Sequence, residues 1–212
     1  MEFDKLLKLV GNELVFDSSL LMAGNINPEY VRTQLSRWVA TGKIYQLRRG
    51  VYALAPPYQK NTPHPFLIAN RLQRASYVSL QSALAFYGMI PETVYRTVSV
   101  STMRTESLKT PLGDYDFRHI QNKLFFGYQL INLQGQHAFV ATPEKALLDL
   151  IYLVPKGGSE EFLSEMRLQN IAQVDLQKIQ KMASIFKKAK IQTAIEVIAR
   201  IKENENLTYE DL

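Results

Sequence analysis

At 212 residues the chain has room for one or two ordinary domains, and its 46% apolar content is that of a globular protein able to bury a core. The formal net charge of +5 suits a polyanionic partner without requiring one, and residues 1–60 carry +3 of it. The absence of cysteine excludes disulfides, thiolate catalysis and cysteine-based zinc sites, and accords with a reducing compartment. The opening MEFDKLLKLVGNELVF is too charged for a signal peptide, and no stretch approaches the roughly 18 apolar residues of a membrane span, so a cytoplasmic protein is expected.

Phe3, Leu6, Leu7 and Val10 share one helical face, and Gly11-Asn12 end that helix. Asp17 is predicted to cap a second helix over 18–23, which Gly24-Asn25 terminate, and Ile26-Asn27 lead into a third. Asn27 suits the N-cap and Pro28 the first helical position, where a missing N–H costs nothing. Val31, Leu35, Trp38 and Val39 recur at the spacing of one face, and Gly42 fits the left-handed position just past the end. Two short strands follow, Ile44–Arg48 and Val51–Leu54, with Arg49-Gly50 as the turn. Three helices and a basic hairpin give residues 1–55 the layout of a winged helix-turn-helix.

The charges agree with that layout. Between Glu29 and Leu54 stand five cations, Arg32, Arg37, Lys43, Arg48 and Arg49, against one anion. With the buried face centred near Val31 and Leu35, helical geometry turns Glu29, Thr33, Ser36 and Arg37 outward and leaves Tyr30 and Arg32 on the flanks. Arg can pair bidentately with guanine, while Ser and Thr bond bases or phosphates, as a helix in a major groove requires. Arg48 and Arg49 at the wing tip are expected to meet phosphate or enter a narrow minor groove. The expected duplex-binding set is therefore Tyr30, Arg32, Thr33, Ser36, Arg37, Lys43, Arg48 and Arg49. The plainer alternative is a small helical domain with a solvated basic face.

Four prolines within residues 56–65 can continue neither a helix nor a central strand, so that segment is predicted as a semi-rigid linker. Residues 66–212 then form a second domain. Helices are predicted over 66–75 and 79–87, with Tyr77-Val78 extended between them. Residues 94–102 are β-branched and alternating, hence a strand, while 103–110 is expected to be an exposed loop and Pro111-Leu112-Gly113 a turn. Residues 115–120 alternate, with Tyr115, Phe117 and His119 on one side. Tyr128–Leu133 and 137–141 make a hairpin around Gln134-Gly135-Gln136. Thr142-Pro143 open a helix over 144–154, and Pro155-Lys156-Gly157-Gly158 break it. Ser159 and Asp175 cap two more helices, and Ile191, Ala194, Ile195 and Ile198 stripe a last one. The expected domain is α+β, a small, mainly antiparallel sheet of about four strands wrapped by helices.

No phosphate-binding glycine loop, dinucleotide fingerprint, HExxH or GxSxG is present. His64, His119 and His137 lack metal-ligand spacing. His119, beside Tyr115 and Phe117, is expected to be a hydrogen-bonded core histidine, and His137 a solvated one. Glu144, Lys145 and Asp149 form the densest charged group: Glu144 in a first helical turn, where the dipole favours an anion, and Lys145–Asp149 at i, i+4. A structural role is favoured over an acid–base pair, so no catalytic residue, metal or cofactor is expected. Lys178, Lys181, Lys187, Lys188 and Lys190 make a late basic run, either a solvated face or an accessory contact to DNA or a partner.

LRRGVYAL at 47–54, PHPFLIANRL at 63–72, YVSLQSALAFYGMIPETV at 77–94, TPLGDYDFRHI at 110–120, FFGY at 125–128 and ATPEKALLDLIYL at 141–153 form an ordered set over most of the chain. In it the chain resembles the AbiEi family, antitoxins of bacterial type IV abortive-infection toxin–antitoxin systems. The resemblance implies a winged-helix repressor of its own operon that binds inverted repeats of double-stranded DNA. It also implies that the second domain opposes a nucleotidyltransferase toxin without a stable complex. Stand-alone regulators without a toxin belong to the same picture. Two other classes stay open: a protein–protein module gripping a partner through the second domain, and an enzyme acting on nucleic acid through Glu144, Asp149 and a metal. The last 50 residues match least, and neither the operator nor the oligomeric state follows from the sequence.

Overall fold

The computed structural model describes residues 2–22 and 27–210, with the side chains of 206–210 outside that description. The chain folds as α+β, with a three-stranded sheet near its start and a six-stranded mixed sheet beyond it. None of the described helices is long and apolar enough to cross a membrane.

Helix α1 (Phe3–Val10) buries Leu6 and Val10 and ends at Gly11, as its spacing predicts. Strand β1 (Phe16–Asp17) then pairs antiparallel with β3 (Val51–Leu54). The expected second helix is a single 3-10 turn, Ser18–Met22. Asp17 does not cap it: the strand pairing holds Asp17 extended, its carboxylate meets Arg74 at 3.1 Å, and the Ser18 amide bonds Gly50 O at 2.8 Å. The expected terminator Gly24-Asn25 and the lead-in Ile26 lie outside the described residues.

Helix α2 (Pro28–Ala40) starts as predicted: Asn27 Oδ1 accepts from the Glu29 amide at 2.9 Å, with Pro28 in the first position. Its end is a left-handed Gly42 at φ 67°, after which the Lys43 amide returns to Trp38 O at 2.9 Å. Val31, Leu35 and Trp38 are buried, Val39 is half-buried against the same core, and the opposite side of the helix is exposed.

The hairpin of β2 (Ile44–Arg48) and β3 lies between two apolar cores. Ile44, Tyr52 and Leu54 join Leu6, Val10, Phe16, Leu21, Val31, Leu35 and Trp38 in the first. Leu47, Val51 and Ala53, on the other side of the pleat, join the larger core of the rest of the chain, as does Val15. All four residues of β3 are consequently buried. At about 1.5–3 kcal/mol for each large aliphatic side chain buried, this shared strand holds the N-terminal part against the second. Residues 56–65 are also tied down: Tyr58 packs on Phe3, Lys60 Nζ donates to Asn12, and Gln136 both donates to Thr62 O and accepts from the His64 amide.

Past that segment come α3 (Pro65–Leu72), β4 (Ser76–Val78), α4 (Leu80–Phe86), β5 (Arg96–Ser101), β6 (Glu106–Thr110), β7 (Gly113–His119), β8 (Tyr128–Leu133), β9 (Gln136–Ala141), α5 (Pro143–Leu153), α6 (Glu160–Glu165), α7 (Leu176–Phe186) and α8 (Ala189–Glu210). The strands lie in the order β6-β7-β5-β4-β9-β8. Three of the five pairings are antiparallel; β4–β9 and β5–β7 are parallel. Against expectation there are six strands rather than about four. The extra edge, β6, replaces the loop expected over 103–110 because Thr110 closes a tight turn, accepting from the Leu112 amide and donating to Gly113 O. Its alternation is polar and half-exposed, so no apolar signal marks it. His119 is the other correction: it is exposed, with Nδ1 2.9 Å from Met103 O, because the sheet's buried face ends at Phe117. The short β4 is central, with Tyr77 and Val78 fully buried.

Candidate nucleic-acid interface

The outer face of α2 presents Tyr30, Arg32, Thr33, Ser36 and Arg37, all exposed. Arg32 pairs with Glu29 one turn earlier, and Thr33 donates its hydroxyl to Glu29 O at 2.9 Å, leaving the oxygen's lone pairs to solvent. Arg37 is exposed at the last turn and forms no ion pair among the described residues. Lys43 Nζ lies 4.7 Å over the Phe3 ring, a cation–π contact that fixes the ammonium at the helix–hairpin junction. Arg49 is exposed at the hairpin tip beside Gly50, whose φ of 86° makes the tight turn.

Arg48 behaves differently from the expectation for a wing-tip cation. Its Nη1 donates to Leu72 O at 2.7 Å, and its Nη2 lies 3.5 Å from Glu106 Oε2. Leu72 is the last residue of α3, where helix carbonyls lack partners and attract a cation. Glu106 opens β6 and also accepts from Gln73 Nε2 at 3.3 Å. Arg48 thus fastens the hairpin to the second part of the chain, with Glu13–Arg71 (2.9 Å) and Asp17–Arg74 (3.1 Å) bridging the same junction.

The late lysines divide. Lys178 pairs with Glu144 at 2.8 Å. Lys190 Nζ donates to Tyr152 O at 2.9 Å at the end of α5, and burial, then Lys188, push its pKa down. Lys181, Lys187 and Lys188 are exposed. They stand on α7 and its junction with α8, and α7 packs on α5, α8 and the 122–124 turn.

A second constellation is only half legible in the sequence. Lys145, Asp149, Tyr77 and Ser79 are all fully buried. Asp149 Oδ1 accepts from Lys145, and its Oδ2 accepts from Tyr77 at 3.0 Å and Ser79 at 2.8 Å; Lys145 also donates to Tyr77 Oη at 2.7 Å. The rings of Tyr77, Phe126 and Phe186 surround the ammonium at 5.2–5.3 Å. Burial pushes the Asp149 carboxyl up and the Lys145 ammonium down, and their mutual attraction opposes both shifts. Burial, then the Asp149 charge, raises the Tyr77 phenol. Spacing marks Lys145–Asp149; nothing local marks Tyr77 and Ser79. Burial would raise the Glu144 carboxyl, but hydrogen bonds from Lys178, Thr142 and the backbone outweigh it and hold the pKa low. Glu144 and Asp149 are therefore held by separate lysines. Among the described residues no group of three or more His, Asp or Glu stands where it could hold a metal ion.

No family model matches the chain, and no curated protein matches it significantly.

Proposed function

We propose that the chain is a cytoplasmic DNA-binding transcriptional repressor, with residues 1–55 acting as a winged helix-turn-helix and α2 as the helix that enters the major groove. The observation that carries this reading is the outer face of α2: a capped helix that exposes Tyr30, Arg32, Thr33, Ser36 and Arg37, its one exposed acid, Glu29, being paired with Arg32, with Arg49 exposed at the hairpin tip. Arg37 and Ser36 reach base edges, while Arg32, Lys43 and Arg49 hold phosphates. Arg48 serves from behind, setting the angle of the wing. The ordered motif set extends the proposal to antitoxin of a type IV toxin–antitoxin system, opposing a nucleotidyltransferase without a lasting complex.

The test is binding of the full chain to the duplex upstream of its own coding sequence. Arg37→Ala should cost about 1–3 kcal/mol there and little on scrambled DNA, since the alanine cannot read a base. Equal affinity of the wild-type chain for both duplexes would refute sequence-specific repression. One observation favours a second reading, a protein-docking module. Tyr95, 90% exposed, rims a groove of about 690 Å³ lined also by Ile90, Val94, Phe162 and Met166. A stable 1:1 complex with the product of a neighbouring gene would favour that reading.

A further inference from the structure

We infer that the DNA-facing surface continues past the hairpin onto the second part of the chain, through Arg74 and Arg104, which take phosphates of the duplex backbone beside the wing tip. This rests on the DNA-binding reading above and adds two cations that the helix–hairpin unit does not contain.

The placement follows from the junction. Asp17 stands opposite Val51 in the β1–β3 pairing, and the next amide, Ser18, bonds Gly50 O, so Asp17 lies at the hairpin tip. Arg74, just past the end of α3, reaches Asp17 Oδ2 at 3.1 Å and is still 79% exposed. From β2, Arg48 reaches Glu106, and Arg104 approaches the other oxygen of that carboxylate at 3.8 Å while 83% exposed. Arg48, Arg49, Arg74 and Arg104 therefore gather around one turn, and among the described residues the carboxylates paired with them are Asp17 and Glu106, two negative charges for four positive.

The ion pairs do not use up this charge. Glu106 is 18% exposed and already shared with Arg48 and Gln73, so the Arg104 guanidinium keeps most of its donors in water. Exposed pairs are worth about 0–1 kcal/mol, less than a phosphate offers a planar fork that can bind it bidentately. Arg71 is excluded on the same grounds: it is less exposed, and Glu13 holds it at 2.9 Å. The partner is a duplex backbone because the cations flank the wing tip, which in the proposed docking lies over phosphates rather than base edges.

The test is anisotropy of the full chain on its upstream duplex and on a scrambled duplex across a salt series. It compares wild type, Arg74→Ala/Arg104→Ala, Arg74→Lys/Arg104→Lys, and Arg200→Ala, an exposed arginine paired with Glu160 elsewhere. Because two phosphates are then no longer neutralised, the alanine pair should show a log affinity against log salt slope shallower by about 1.8, and about 30-fold weaker binding at 0.15 M salt on both duplexes. The preference ratio between duplexes should stay unchanged. The lysine pair should retain most of the slope, and Arg200→Ala all of it. A wild-type slope in the alanine pair, with or without a lowered melting temperature, would mean that these arginines only bracket the two parts, and the inference would fail. Failure of the wild-type chain to bind either duplex would overturn the DNA-binding reading itself.

Discussion

Replacing Asp149 with alanine would leave the Lys145 ammonium in the core without its counter-charge. In the native chain Asp149 accepts from Lys145, Tyr77 and Ser79, and all four side chains are fully buried. After Asp149→Ala the ammonium retains the Tyr77 oxygen and three ring faces, which replace only part of the missing attraction. The expected cost is about 3–5 kcal/mol, a large share of the roughly 5–15 kcal/mol that stabilises a domain. Lys145→Met combined with Asp149→Leu removes both charges and fills similar volume, so it should cost less than either single change. The residual cost comes from the Tyr77 and Ser79 hydroxyls, each about 1–3 kcal/mol if left unsatisfied. Urea unfolding of the wild type, Lys145→Met, Asp149→Leu and the double change closes the cycle, with a coupling of about 2 kcal/mol or more expected and the urea slope unchanged. If the two single changes simply added, or Asp149→Ala cost under about 1 kcal/mol, the pair would not be the desolvated one described.

Two pH effects follow from the site geometry. Glu144 titrates lower in the fold than in the unfolded chain, so between those two values the fold binds fewer protons; its stabilisation is present above the unfolded pKa and is lost as pH falls through the folded one. Lys178→Met should lower stability at neutral pH by about 1–3 kcal/mol and flatten the acid limb of a stability–pH curve; an acid limb identical to wild type would contradict the assignment. His64 is pushed below its ordinary value by burial, and its Nδ1 accepts the Phe66 amide at 3.1 Å, which only the unprotonated ring can do. Stability from this cap is full above the unfolded pKa and is lost as pH falls through the window beneath it. Removing it with His64→Ala should cost about 1 kcal/mol at alkaline pH and less in acid; an NMR midpoint at or above the ordinary histidine value would count against the cap.

Neighbours along the chain settle part of this architecture, and that part is legible in the amino-acid sequence. Asn27-Pro28 and Gly42 bound α2, Arg49-Gly50 turns the hairpin, Thr142-Pro143 opens α5, and Lys145 meets Asp149 one turn on. Each depends on residues within about a helical turn, where spacing and backbone preference suffice. The outward set on α2 is legible for the same reason: burying Val31, Leu35 and Trp38 turns the other side of the helix to water. β6 forms a local hairpin with β7, closed at Thr110 and Gly113, but its polar, half-exposed run carries no apolar alternation to mark it. The assembled fold, in contrast, turns His119 outward and fastens Arg48 to Leu72 and Glu106, residues 24 and 58 positions away. The lysine–aspartate pair shows the division most plainly. Its spacing lies within one helix, but its burial comes from Tyr77, 68 residues earlier, and Phe186 from α7. Such contacts are set by which surfaces exclude water together, a property of the assembled chain and not of any short segment.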